Sequence, residues 1–130
     1  MLRHRHRYSV DDYYRMAEAG ILRADSRVEL IDGEVIEMPP IGPLRASLIT
    51  ELQNRLIKAV GDAAVVQVQN PVRLGPQDEP EPDLAVVTGP AFKYRTRHPE
   101  PADILLLIEV SDSSIGLDRD VKLSCCATRV

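Results

Sequence analysis

Apolar and polar positions fall into short blocks along this chain, and most blocks carry recognisable stops. Ser9 with Asp12 three residues later has the pattern of a capping arrangement, so a short helix is expected from about Val10 to Ala19. Gly20 supplies its stop, because glycine takes positive φ without a Cβ clash. From Val28 to Ile36 apolar and polar residues alternate around Asp32-Gly33. That is a strong hairpin signal, since both turn positions need φ > 0. Pro39, Pro40, Gly42 and Pro43 then break the chain. Ile49, Leu52, Leu56 and Val60 follow at helical spacing, with Thr50, Gln53, Asn54 and Lys58 on other faces, which predicts one amphipathic helix from about Leu44 to Val60, ended by Gly61.

The remainder reads as strands. Val65 to Gln69, continuing to Val72, predicts a strand bent at Pro71. Asp83 to Val87 predicts a second, opened by Pro82 and closed by Gly89-Pro90. Ile104 to Val110 predicts a third, apolar throughout except for Glu109, and a continuous apolar run of this kind suggests burial on both faces. Another helix is expected to begin near Asp118. One helix followed by strands suggests a sheet with helices packed on its faces.

Length and composition narrow the class. The 130 residues make one domain's worth of chain, and an apolar share of 44% is enough for a core. No run approaches a membrane span, and MLRHRHR lacks the apolar segment of a secretory signal. Cys125 and Cys126 are adjacent, a poor geometry for a structural bridge, so a thiol-bearing cytoplasmic chain is expected. The net charge of −4 argues against an all-over basic surface, leaving local basic clusters at Arg3 to Arg7 and at Lys93, Arg95 and Arg97.

Glu109 is the most informative residue for chemistry. A carboxylate buried in ILLLIEV costs several kcal/mol unless a cation, a hydrogen-bond network or a proton holds it. Asp83 has a matching position on the preceding strand, and two converging carboxylates repel until a hard divalent cation relieves them. Oxygen-only ligands favour Mg²⁺ or Mn²⁺. Two plainer readings stand beside this one: Asp83 merely opens a strand, and Glu109 pairs with Arg119 or Lys122 in a buried salt bridge. There is no zinc-type His/Cys spacing, no glycine-rich phosphate loop and no G-x-S-x-G elbow; His4, His6 and His98 read as tail and loop residues.

RVELIDGEVIEM, a helix, VQNPVRL, EPDLAVV and ILLLIEVSDSSIGLDRDVKL, in that order from about Tyr8 to Leu123, resemble the Uma-type putative restriction endonuclease family of the PD-(D/E)XK nuclease superfamily. The resemblance implies an α/β (α+β) fold with a restriction-endonuclease-like α-β-β-β-α-β core, preceded by the first helix and hairpin. It implies a DNA endonuclease whose metal lies on Asp83 and Glu109. The superfamily lysine normally follows that acid by two residues, where this chain has Ser111; in the Uma-type branch it has moved to the following helix, which points to Lys122. Glu29 resembles a further metal ligand, with Glu51 as its competitor, and Gln69 is a candidate phosphate contact.

Two departures from the family pattern stand out. Arg45 occupies the start of the long helix, where the family commonly has histidine, and the chain closes on SCCATRV in place of the rest of a helix and an aromatic strand. The expected organisation is therefore a basic, disordered tail over 1–7, a nuclease-like domain over 8–123 lacking most of its last helix and strand, and an atypical tail over 124–130. A catalytically silent binding module and an inactive remnant are the alternatives. Without the last strand, Ile104 to Val110 would be an exposed edge through which copies of the chain self-associate.

Overall fold

The computed structural model describes residues 3–111 and 121–123. Helix α1 spans Val10–Glu18 and opens with the reciprocal cap: Asp12 N–H donates to Ser9 Oγ at 3.0 Å, and Ser9 N–H to Asp12 Oδ2 at 3.2 Å. Strands β1 (Val28–Ile31) and β2 (Glu34–Glu37) pair antiparallel about a turn in which Asp32 and Gly33 both take positive φ, 49° and 78°. Helix α2 runs over Pro43–Val60, with proline in its first turn and Gly61 at its end. Arg5 and Arg7 pair with Glu34 and Asp32, so the basic N-terminal segment rests on the hairpin.

A second sheet contains β3 (Val65–Val68), β4 (Leu84–Val87), β5 (Ile104–Val110) and β6 (Val121–Leu123), in that spatial order and antiparallel throughout. Among the described residues the fold is mixed α+β, with two α-helices and two small antiparallel sheets. Two apolar clusters cover its faces. Val72, Ala85, Val87, Ile104 and Leu107 form one; Ile49 of α2 with Leu84, Ile108 and Val110 forms the other. Each fully buried Val, Leu or Ile contributes about 1.5–3 kcal/mol of transfer free energy, so the sheet carries most of the apolar stabilisation. No helix among the described residues is long and apolar enough to cross a membrane.

Four expectations are corrected. β3 stops at Val68, short of Pro71, because Gln69 turns into the left-handed region at φ 52°. β5 is buried on both faces, with Ile104 and Leu107 in one cluster and Ile108 and Val110 in the other, but Glu109, expected to be buried with it, is exposed, as is Leu105 at 53%. A register shift explains Leu105, since Val86 faces Leu106 and Val87 faces Ile104, leaving Leu105 as the extra residue of a bulge. Residues 121–123 form a strand rather than part of a helix, placing Val121-Lys122-Leu123 against β5 with Glu109 opposite Lys122 in register. The apolar-polar-apolar order of those three residues suits a strand edge. β5 is consequently not a free edge at Ile108–Val110, and the basis for self-association through it is removed there.

Gly33 and Gly20 both have φ of 78°, but only Gly33 is crowded: a Cβ there would lie 2.4 Å from Arg7 Cβ and 2.9 Å from Arg7 Cα. Left-handed backbone costs a non-glycine residue about 1–2 kcal/mol. Gly20→Ala should cost about that, and Gly33→Ala measurably more, because the Arg7 backbone must also move. Urea denaturation of the two variants checks this; equal losses would show that the N-terminal segment is not seated on the turn.

Candidate active site

The site begins with a peptide stretch that has little freedom. Pro80 and Pro82 restrict the chain on either side of Glu81, and the Leu30–Glu79 bridge sews this stretch to the hairpin: Glu79 N–H donates to Leu30 O at 2.8 Å, and Leu30 N–H to Glu79 O at 3.3 Å. Asp83 follows, immediately before β4, and is 2% exposed. Its two oxygens have different partners. Oδ2 accepts the Val110 N–H at 2.7 Å, at the far end of β5; Oδ1 accepts Arg45 Nη2 at 2.5 Å, from the first turn of α2. One buried carboxylate thereby ties together α2, β4 and β5. Removing one partner of such a buried pair typically costs about 3–5 kcal/mol.

Glu109 sits next to Val110 and beside the Asp83 carboxyl, close enough for the two to share a hydrogen bond when one is protonated. Its pKa is pushed up to about 7, first by burial, then by the negative charges of Asp83 and Glu29, with Arg45 opposing. Burial and exposure coexist here. Glu109 is exposed as a residue, so a solute has access to it, while burial of its carboxyl is the first cause of its raised pKa. Glu29 comes from β1 and accepts the Glu81 N–H at 3.0 Å. Burial also pushes the Glu81 carboxyl up, against Arg27. The hairpin, the proline-bounded stretch and β5 therefore place Glu29, Glu81, Asp83 and Glu109 in one acidic region. No group of three or more His, Cys, Asp or Glu side chains in ready position for an ion occurs among the described residues.

Of the residues singled out from the sequence, Asp83, Glu109 and Glu29 come together. Gln69 lies beside them: its N–H donates to Asp83 O at 3.0 Å, continuing the β3–β4 pairing past the end of β3. Glu51 is exposed on α2 and does not figure among the charges acting on Glu109. Lys122 lies on β6, not on a helix; its backbone faces Glu109, and its side chain lies outside the described residues. Ser111 ends the first described stretch, whereas Arg119, Cys125 and Cys126 lie outside it.

Arg45 and Glu81 were not read as site residues. A signal for Arg45 existed: α2 has no acid in its first turn and an arginine there instead, where the helix dipole disfavours a cation. Such an arginine needs a carboxylate from elsewhere. The signal for Glu81 was its place between two prolines, alternating with Glu79 and Asp83.

A family model described as Uma2, "Putative restriction endonuclease", matches residues 10–129. No curated protein matches the chain significantly.

The raised pKa of Glu109 makes a stability prediction. Its folded value of about 7 exceeds its ordinary value of 4.5. The fold thus favours the protonated form; that contribution is complete below about pH 4.5 and is lost as pH rises through about 7. Without added metal, Glu109→Gln should flatten the fall in stability between pH 5 and 8, and should leave the variant more stable than the parent at pH 8. Parallel stability curves for the two proteins would show that Glu109 is not in a strained acidic cluster.

Proposed function

The chain belongs to the Uma2 family of putative restriction endonucleases, and from that membership we propose that it hydrolyses DNA phosphodiester bonds using a divalent cation held by Glu109 and Asp83. The observation that carries the reading is the placement of Asp83 and Glu29 around Glu109, where burial first and then their two charges push Glu109 up to about 7 although Arg45 opposes them. The donor atoms fit a hard cation. All are carboxylate oxygens, and each Asp83 oxygen uses one lone pair on Val110 or Arg45 and keeps another. Mg²⁺ or Mn²⁺ suits such a set.

A bound divalent ion would polarise the phosphate and lower the pKa of a coordinated water. The protein's part is positioning. Val110 N–H and Arg45 hold the Asp83 carboxyl in one orientation, and the Leu30–Glu79 bridge holds Glu29 in range. Lys122, opposite Glu109 in register, is the candidate for neutralising charge that develops on the phosphate oxygens. Gln69, braced on Asp83 by its backbone, is the candidate contact to an adjoining phosphate.

A catalytically silent nucleic-acid-binding module is the second reading, and one observation favours it: Arg45 already supplies a positive charge to Asp83 where the family commonly has histidine. Plasmid nicking separates the two. With Mn²⁺ the chain should nick supercoiled DNA, EDTA and Glu109→Gln should abolish nicking, and Lys122→Ala should slow it by about 10²-fold. Absence of Mn²⁺-dependent nicking by the parent protein would support the silent reading. Undiminished nicking by Lys122→Ala, with Glu109→Gln inactive, would remove only the lysine's role.

A further inference from the structure

Separated from the acidic region by a second cleft that reaches Glu81, a cleft of about 440 Å³ carries Arg73, Arg95, Arg97 and His98 on its wall against Glu79 and Glu100. These groups do not simply cancel in charge. Glu79 is buried and accepts the Tyr14 hydroxyl at 2.5 Å; burial first, and then this bond, push the Tyr14 pKa well above its usual range. Arg97 is committed to Asp103 at 2.7 Å and reaches Glu100 at 3.8 Å. Arg73 and Arg95 are exposed, and among the described residues neither belongs to an ion pair.

The backbone of Arg73 and the guanidinium of Arg95 each have a support. The Arg73 N–H donates to Pro99 O at 2.8 Å, fastening its segment to the loop that carries Arg95. Arg95 packs over Phe92, its guanidinium carbon 5.9 Å from the ring centre. The loop is clamped from below: Asp103 takes Arg97 at 2.7 Å and Lys93 at 3.1 Å, and these contacts, led by the Arg97 hydrogen bond, hold its carboxyl well below the usual range. Tyr94 Oη adds a hydrogen bond to Thr88 O at 2.5 Å. Of the three cations of this loop, Lys93 and Arg97 are paired with Asp103 and Arg95 is left for solvent.

The cleft also leads toward the carboxylates. Tyr14, Glu79 and His98 line it and the neighbouring cleft of about 430 Å³, which reaches Arg27 and Glu81. Glu81 is bonded to Glu29, and Glu29 acts on Glu109. We propose that Arg73 and Arg95 grip backbone phosphates of a DNA strand that continues across this surface to Glu109. Guanidinium forks bind phosphate oxygens in pairs, and arginines held on rigid supports lose less conformational freedom on binding. The grip rests on the nuclease reading for its direction and its substrate; its chemistry is that of a phosphodiester backbone and is independent of base sequence.

The test uses the full chain carrying Glu109→Gln, a short fluorescent DNA duplex, and anisotropy titrations over a range of KCl concentrations. Adding Arg73→Ala and Arg95→Ala should weaken binding by at least 10-fold at low salt. The pair should also reduce the slope of log K against log[KCl] by about 1.8, roughly 0.9 for each phosphate no longer neutralised. Arg55→Ala, exposed on α2 away from the cleft, should change neither. Thermal melts confirm that the double variant remains folded. Unchanged affinity and slope in a folded double variant would overturn the proposal, as would an RNA duplex of the same sequence competing better than DNA. Failure of the nuclease reading appears elsewhere: if the parent protein never cleaves while the arginine-dependent slope persists, the grip stands and only the chemistry is lost.

Discussion

Three of the elements near the acidic region, α2, β4 and β5, are tied together by the two hydrogen bonds that the Asp83 carboxylate accepts. One comes from the backbone at the end of β5 and the other from the first turn of α2, while Asp83 itself opens β4. A carboxylate that is 2% exposed is tolerated only because both oxygens are satisfied and a guanidinium balances its charge. The same contacts bring Glu109 to Asp83, because the residue whose N–H reaches Asp83 is the one that follows Glu109. Structural support and candidate chemistry therefore share an atom set. For this reason Glu109, open to solvent, is the cleaner position for functional substitutions, and Asp83 reports on folding as much as on activity.

Charge is distributed unevenly in a chain of net charge −4. Acids gather where β1, the proline-bounded stretch and β5 meet. Arginines gather around the cleft of Arg73 and Arg95, where some serve the fold and others do not. Asp103 shows how the distinction arises: by pairing with Lys93 and Arg97 it commits two cations of a basic loop to the fold and leaves Arg95 outward. An acidic centre flanked by an outward cationic surface is an arrangement that a polyanionic substrate can approach without an overall basic protein.

Much of this was legible in the sequence where local rules decide. The Ser9–Asp12 cap, the Asp32-Gly33 turn, α2 and both limits of β5 follow from short-range patterns, and the structure has them where those patterns put them. What remained hidden depends on pairing between distant segments. Three residues, Val121 to Leu123, are too few to show an alternation, and only the neighbouring edge of β5 makes them a strand. The bulge at Leu105 exists because β4 and β5 differ in register, which no single strand records. Glu109 was marked by its place in an apolar run, but its exposure depends on what covers β5. Arg45 was visible as a departure from the family pattern; its attachment to Asp83 spans 38 residues of sequence and needed the fold.

The central claim is that Glu109 and Asp83 form a cation site. Anomalous diffraction from a crystal of the protein grown with Mn²⁺ addresses it most directly. A manganese peak is expected within ligating distance of a Glu109 oxygen and an Asp83 oxygen, with the Val110 N–H still bonded to Asp83. A manganese peak elsewhere, or an Asp83 held by Arg45 with no ion beside Glu109 at saturating Mn²⁺, would contradict it.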